Sequence, residues 1–184
     1  MIRLNTLIDE LNSKIGDPNK GLPEDVFLLM SRNTPMVNVD LLILNSNKEK
    51  LLTWRGGDYY SPGWHMPGGI VRYKESLHDR VQLVAKIELG ANVDFKLEPI
   101  MINEVIRSQS RRNRGHFISF LFSCTLISDP IHQKGYGKHG WFKKCPDSLI
   151  PVHLMYKNIL NDLKPSSGCK SDFGTSKVIF PIVL

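Results

Sequence analysis

The chain has 184 residues, 41% hydrophobic and 23% charged, a formal net charge of +6 and a pI near 9.3. This length suits one domain with a substantial core, and no window approaches the roughly 20 apolar residues of a membrane span. The N-terminus lacks the features of a secretory signal, so we expect a cytoplasmic protein without a membrane partner. The positive charge favours a polyanionic partner, either nucleic acid or a phosphorylated metabolite.

Two helices are predicted before the first strand. Apolar residues recur at helical spacing over residues 4–15, and Gly16 is a natural end for that helix. A second helix is predicted to begin at Pro23, which suits a first helical turn, and to end at Asn33. Residues 1–34 are therefore a predicted helical extension in front of a main domain over residues 35–164.

A β-hairpin is predicted to follow the extension. Residues 36–44 are mostly apolar and read as a strand, and the turn-prone residues 45–48 come next. A second strand is predicted to return through Leu51, Leu52 and Trp54. Glycines and Pro62 then predict a loop that leads to Trp64.

The segment from Pro67 to Gly90 carries the most informative pattern. A Gly68-Gly69 turn precedes a predicted amphipathic helix over residues 75–89, with Gly90 as its end. Positions 84, 87 and 88 share one face of that helix, but only Glu88 is a carboxylate. Taken alone, one such glutamate is more often simply solvated.

The rest of the chain predicts strands near residues 93–106, 116–127 and 139–144 and an amphipathic helix over 151–163. In the C-terminal tail, residues 165–184, we expect residues 165–177 to be loosely ordered. The apolar residues 178–184 are expected to dock on the core or on a partner chain. Cys124, Cys145 and Cys169 lack paired spacing, which argues against a disulfide framework or a zinc site and predicts reduced thiols.

Four arginines fall in one short polar segment: Arg107, Arg111, Arg112 and Arg114. An extended nucleic-acid surface usually interleaves aromatic residues with such charge. The distribution therefore favours a small anionic ligand over nucleic acid.

The Pro67 to Gly90 segment resembles the Nudix box, which runs Gly, five residues, Glu, seven residues, Arg-Glu, two residues, Glu-Glu, one residue, Gly. The residues in register are Gly69, Glu75, Ala85, Glu88 and Gly90. Leu83-Val84 stands where the pattern has Arg-Glu, and Ile87 where it has the first Glu of the pair. The resemblance implies an α/β Nudix fold, a mixed β-sheet sandwiched between α-helices, and a Mg²⁺-dependent hydrolase, with Mn²⁺ as the alternative ion.

Residues 22–90 more closely resemble the GDP-mannose mannosyl hydrolases, a Nudix branch whose box keeps only the last glutamate of the usual cluster. This resemblance implies that Gly68 and Glu88 hold the metal and that Asp40 and Arg55 bind a nucleotide sugar. It also implies attack of water on the sugar carbon, with cleavage of its C–O bond, and a homodimer. Arginine binds phosphate with two parallel hydrogen bonds, so Arg55 and Arg72 are candidate phosphate ligands. A loop arginine is a further candidate: Arg112, with Arg111 or Arg114 as the alternatives.

The chain departs from this branch at three places. Ile70 and Leu83 stand where the branch has arginines. The branch also carries a glutamine and a general-base histidine before a tryptophan, and counting back from Trp141 places Gly135 and Tyr136 there.

Two nearby histidines, His132 and His139, lie out of register, with Gln133 beside the first. Histidine suits a base because its pKa is near neutrality, and His139 is the candidate since it adjoins the predicted last strand. Three functions therefore stay open: a hydrolase, a nucleotide-sugar binding or regulatory module without turnover, and nucleic-acid binding through residues 107–114.

Overall fold

A computed structural model describes residues 3–56, 62–107, 115–131 and 137–163 with their side chains, and residues 168–171 and 174–181 as backbone strands. Helix α1 spans Leu4–Ile15 and α2 spans Glu24–Asn33, as predicted. Gly16 ends α1 with a φ of 66°, a left-handed conformation that favours glycine. None of the described helices is long and apolar enough to cross a membrane.

Ten strands lie in the described residues: β1 Met36–Ile43, β2 Lys50–Arg55, β3 Gly63–His65, β4 Gly68–Ile70, β5 Val93–Phe95, β6 Met101–Ile106, β7 His116–Leu126, β8 His139–Phe142, β9 Gly168–Ser171 and β10 Gly174–Pro181. The main sheet has the order β4-β1-β7-β6-β10-β9, with β5 also paired to β7. Its β1–β7 pair is parallel and its other pairs are antiparallel. A small sheet has the order β3-β2-β8. The predicted α/β class with a mixed sheet is confirmed.

The predicted β1–β2 hairpin is wrong, because the two strands belong to different sheets. The turn itself forms, with the Lys48 N–H donating to the Asn45 carbonyl at 3.0 Å, and one isolated bridge joins Leu44 to Lys50. Beyond it, both strands carry buried apolar residues on both faces, whereas a hairpin at a protein surface buries only one. Each strand therefore packs apolar side chains against other elements on both of its faces.

Hydrophobic clusters cover both faces of the main sheet. One face packs Val39, Leu41 and Ile43 against the helix that follows β4. The other packs Leu42, Met101 and Leu121 against the C-terminal helical segment. Because side chains alternate along a strand, Asp40 shares the second face with Leu42. Alternation thus places a carboxyl inside an apolar layer.

Helix α3 spans Leu77–Val84 and begins at Ser76, whose hydroxyl accepts the Asp79 N–H at 3.0 Å. A π-helical turn over Ala85–Leu89 follows, and left-handed Gly90 ends it. The predicted α-helix over 75–89 is therefore corrected at both ends. Single π-helical turns are rare and occur frequently at functional sites. Glu88 lies on this turn.

The C-terminal region differs from its prediction. Residues 151–163 contain a 3-10 helix at Pro151–Tyr156 and a short α4 at Lys157–Leu160 instead of one long helix. The expectation of a loosely ordered tail is wrong for β9 and for Gly174 to Lys177, since β10 pairs with β6 and β9 pairs with β10. Main-chain pairing with an available sheet edge orders even a polar sequence.

Two of the three cysteines lie in the part of the chain described with side chains. Cys124 and Cys145 are free thiols, as predicted. Burial raises the pKa of the Cys124 thiol to about 12, so this cysteine stays protonated and unreactive.

Candidate active site

A cleft of about 550 Å³ opens between the main sheet, α2 and the 3-10 helix. Its polar lining residues include Glu24, Asn38, Asp40, Arg55, His65, Arg72, Arg80, Ser119 and His153. Its apolar lining residues include Leu22, Phe27, Met30, Ile70 and Val71. The volume lies in the range of small-molecule sites, and the N-terminal extension supplies part of the apolar wall.

Gly68 forms the wall between the cleft and the helix that follows it. The Leu41 N–H donates to the Pro67 carbonyl and the Val71 N–H to the Val37 carbonyl, each at 2.9 Å. In an antiparallel ladder this alternation turns the Gly68 N–H and carbonyl away from β1. The Gly68 N–H accordingly donates to Glu88 Oε1 at 3.3 Å. The Gly68 carbonyl points to the same side.

Glu88 is 8% exposed, and a hydroxyl and a main-chain N–H donate to its carboxyl group. Its Oε2 accepts the Thr53 hydroxyl at 3.0 Å and lies 3.5 Å from His65 Nε2. A carboxylate held this way keeps its negative charge available to a cation. Within the described residues no group of three or more His, Cys, Asp or Glu side chains is placed to bind a metal. One carboxylate and one carbonyl fit Mg²⁺, which keeps its remaining waters.

His65 is a site residue that the sequence analysis missed. Thr53 gives its one hydroxyl hydrogen to Glu88, so in the 3.1 Å contact between Thr53 Oγ1 and His65 Nε2 the histidine is the donor. The other ring nitrogen, Nδ1, is buried without a hydrogen-bond partner among the described residues. The available signal was its place on a short strand directly before the Gly-Gly turn.

His153, also missed, lines the same cleft from the 3-10 helix. Its Nδ1 accepts the Met66 N–H at 3.0 Å. Burial, aided by His65 and Arg55, holds its pKa well below 6.5. The ring is therefore neutral near pH 7, with its hydrogen on Nε2, and acts as a donor.

Asp40 is 1% exposed and accepts two hydroxyl hydrogens on Oδ2, from Ser119 and from Tyr156 at 2.6 Å. Burial raises the pKa of Asp40 although these hydrogen bonds lower it, and burial with the nearby carboxyl raises the pKa of Tyr156 well above 10. A Cβ added at Gly68 would lie 2.2 Å from Asp40 Oδ1. Only glycine therefore fits at Gly68.

Glu75, in register with the resembled pattern, makes a salt bridge that the sequence analysis did not predict. Arg80 donates from Nε and Nη2 to Glu75 Oε2 at 2.7 and 2.5 Å, and the Arg72 main-chain N–H donates to the same oxygen at 2.8 Å. Arg80 is 5% exposed. Its position five residues after Glu75 was the available signal.

The structure brings most of the predicted site residues together. Asp40, Arg55, Gly68 and Arg72 line the cleft, and Glu88 lies directly behind Gly68. Arg72 also donates from Nη1 to the Asn19 carbonyl at 3.5 Å.

The predicted base, His139, lies apart from this group. His139 is not among the residues that line the cleft, and its Cα pairs with Thr53 across β8 and β2. Since Thr53 also pairs with His65, the three side chains form one row on the same side of the small sheet. Arg112 and the positions 132, 133, 135 and 136 lie outside the described residues.

Comparisons with known proteins agree with this geometry. The sequence profile of the NUDIX domain matches residues 34–155. The chain is 36% identical over 116 residues to the low-salt glycan biosynthesis protein Agl8 of Haloferax volcanii, which covers 62% of this chain and 74% of Agl8.

Two solved structures have a similar fold. One is a MutT NUDIX hydrolase from Burkholderia pseudomallei, with a TM-score of 0.52, 20% identity and coverage of 65% of this chain and 93% of that chain. The other is a possible asymmetric diadenosine tetraphosphate hydrolase from Jonesia denitrificans, with a TM-score of 0.51, 18% identity and coverage of 60% and 77%.

Proposed function

Because this chain belongs to the Nudix family, we propose that it is a Mg²⁺-dependent hydrolase of a nucleoside diphosphate derivative, with a nucleotide sugar such as GDP-mannose as the favoured substrate. The observation that carries the proposal is the position of Glu88, held at 3.3 Å against the Gly68 N–H behind a cleft that Asp40 and Arg55 line. The family generally uses divalent metals.

The Gly68 carbonyl and Glu88 would hold the metal. Both are hard oxygen donors on the same side of β4, as Mg²⁺ or Mn²⁺ requires. When bound, the ion would supply charge stabilisation to a diphosphate leaving group. Because only Glu88 among positions 84, 87 and 88 is a carboxylate, we propose one ion per chain.

The cleft residues would position the substrate. Arg55 and Arg72 are proposed to donate to the diphosphate, as is Arg112 from the segment outside the described residues. Asp40, at the floor, is proposed to accept hydrogen bonds from sugar hydroxyls, while Ser119 and Tyr156 fix the orientation of its carboxyl group.

Hydrolysis at the sugar carbon needs a water and a proton acceptor. The water oxygen forms the new bond to carbon, the bond between that carbon and the diphosphate oxygen breaks, and the diphosphate leaves with the electron pair. His139 is the proposed base that takes the water proton. His65, in the same row, is proposed to accept a hydrogen bond from the water at Nδ1 and so to orient it.

A nucleotide sugar is favoured because of two independent observations. Residues 22–90 resemble the branch that hydrolyses GDP-mannose. The relative from Haloferax volcanii is described as a glycan biosynthesis protein, and glycans are assembled from activated sugars.

Incubation of the purified protein and Mg²⁺ with GDP-mannose, GDP-glucose and ADP-ribose tests the proposal. Release of free sugar and nucleoside diphosphate indicates C–O cleavage, and release of nucleoside monophosphate and sugar phosphate indicates P–O cleavage. Glu88→Gln is the control for a contaminating hydrolase. No turnover of any of the three substrates contradicts the proposal.

The second candidate is a sugar-nucleotide binding module without turnover. It is favoured by Val84 and Ile87, which replace two glutamates of the resembled pattern, and by the lack, in the described parts of the chain, of a three-residue metal cluster. It predicts calorimetric binding of GDP-mannose without hydrolysis and binding that survives Glu88→Gln. Nucleic-acid binding ranks third and predicts an affinity that falls steeply with salt.

A further inference from the structure

Arg80 is a nearly buried charge that the proposed reaction has not used. It is 5% exposed, lies on α3 and lines the cleft. A buried guanidinium is costly unless it is paired, and Glu75 provides the pairing through Arg80 Nε and Nη2. Two of its three nitrogens are thereby fixed in space.

The third nitrogen, Nη1, lies beside the Gly-Gly turn. A Cβ built on Gly69 would be 3.8 Å from it. Within the described residues Nη1 makes no hydrogen bond, although the side chain carries a full positive charge. Gly69 directly follows Gly68, whose carbonyl is a proposed metal ligand. A diphosphate held at Gly68 would therefore lie within reach of this nitrogen.

Two positions close to the turn carry no charge. Ile70 follows the glycines and Leu83 lies on α3, and both are aliphatic. Arg80 precedes Leu83 by three residues, which places the two side chains on neighbouring parts of one helix face. An arginine one turn earlier thus reaches the turn from the same side.

We propose that Arg80 positions the diphosphate group of the substrate, with Glu75 fixing the guanidinium and Nη1 donating to a phosphate oxygen beside Gly69. This inference rests on the proposed function, because it takes a nucleoside diphosphate derivative as the ligand. A charge-assisted hydrogen bond with fixed geometry accounts for about a tenfold gain in affinity.

The test compares three variants with wild type. Arg80→Gln removes the donor but leaves Glu75 without its partner. The double variant Glu75→Gln/Arg80→Gln removes both charges and leaves two neutral amides that can pair. Lys86→Gln is the matched control, since Lys86 is an exposed cation of the same helical segment. Binding of GDP and of inorganic pyrophosphate with Mg²⁺ is measured by calorimetry, and unfolding by denaturant.

We expect the double variant to unfold near wild type yet to bind GDP about tenfold more weakly, with KM for GDP-mannose rising by a similar factor. Lys86→Gln is expected to match wild type. Unchanged GDP affinity in a folded double variant would show that Arg80 only pairs with Glu75, and would overturn the inference. Wild-type protein that binds neither GDP nor pyrophosphate would overturn it as well. Wild-type binding without turnover would contradict the hydrolase alone, because the affinity comparison still decides the role of Arg80.

Discussion

The two glutamates that flank α3 show how partners decide what a carboxylate does. Glu75, before the helix, accepts two hydrogen bonds from Arg80, and the guanidinium charge balances that of the carboxylate. Glu88, on the π-helical turn after it, accepts a hydroxyl and a main-chain N–H. The first glutamate fixes the position of an arginine, and the second is the proposed metal ligand. Two box positions that look alike in sequence thus differ in chemistry.

Glu88→Gln is the variant expected to have the largest effect on the difference between the two glutamates. Glutamine keeps the shape but removes the charge, so kcat/KM with Mg²⁺ is expected to fall about 1,000-fold, because the metal contributes several kcal/mol to the transition state. The free energy of unfolding is expected to stay within about 1 kcal/mol of wild type. The measurement is steady-state hydrolysis of the best nucleotide sugar. Activity within about tenfold of wild type would remove Glu88 from the metal site.

Glu75→Gln, unlike Glu88→Gln, is expected to lower the stability of the fold. It leaves the Arg80 guanidinium buried and unpaired, which costs about 3 kcal/mol of unfolding free energy. Urea denaturation measures this loss. Replacement of Arg80 by Gln in the same chain should restore most of it, and a single variant as stable as wild type would show that Glu75 is not needed to balance the charge.

Gly68→Ala tests the backbone that Glu88 contacts. The new Cβ would meet Asp40 Oδ1 at 2.2 Å and the Val39 carbonyl at 2.9 Å, so we expect a loss of about 2 kcal/mol in stability. Gly56→Ala is the matched control, since a Cβ there meets no atom of the described residues within 4 Å. Equal stability of the two variants would mean that β4 shifts freely.

Alanine variants of His65 and His139 separate the roles of the two histidines in the row. His65→Ala removes the acceptor beside the cleft and is expected to lower kcat about tenfold with little change in KM. His139→Ala is expected to lower kcat further, because His139 is the proposed base. An unchanged kcat in this variant would leave His65 as the one histidine of the row that acts in the reaction. Wild-type kcat in both variants would exclude this row from the reaction.

The smallest expected effect is the pH dependence of Asp40. Burial raises its folded pKa above the unfolded value of 3.8, so Asp40 stabilises the fold below pH 3.8 relative to higher pH, and this contribution is lost as pH rises through the folded pKa. Asp40→Asn keeps the acceptor oxygen and lacks the titration. We expect its stability relative to wild type to increase from pH 4 upward, measured by urea denaturation. A difference that is flat with pH would contradict a raised pKa.

Local sequence signals predicted where helices and strands lie better than they predicted which strands pair. Gly16 and Ser76 mark helix ends through local backbone geometry and capping, and both bounds can be read from neighbouring residues. The separation of β1 from β2 depends on which layer covers each face, and this information lies far away in the chain. For the same reason the polar residues of β9 gave no sign of their place beside β10.

The candidate site shows the same difference between what a local pattern predicts and what depends on distant residues. A family pattern predicted Asp40, Arg55 and Gly68 as site residues, and the structure places all three in the lining of one cleft, while their roles stay predictions. His65, His153 and the Arg80–Glu75 pair were missed, because their roles depend on hydrogen-bond partners 5 to 87 residues away.

Manganese binding measured by electron paramagnetic resonance, with GDP present, tests most directly whether one box carboxylate is enough. Wild-type protein is expected to bind one Mn²⁺ per chain, and Glu88→Gln to lose that ion while it still folds. Two or more tightly bound ions in wild type, or one ion retained by Glu88→Gln, would contradict a site built on Glu88 and the Gly68 carbonyl.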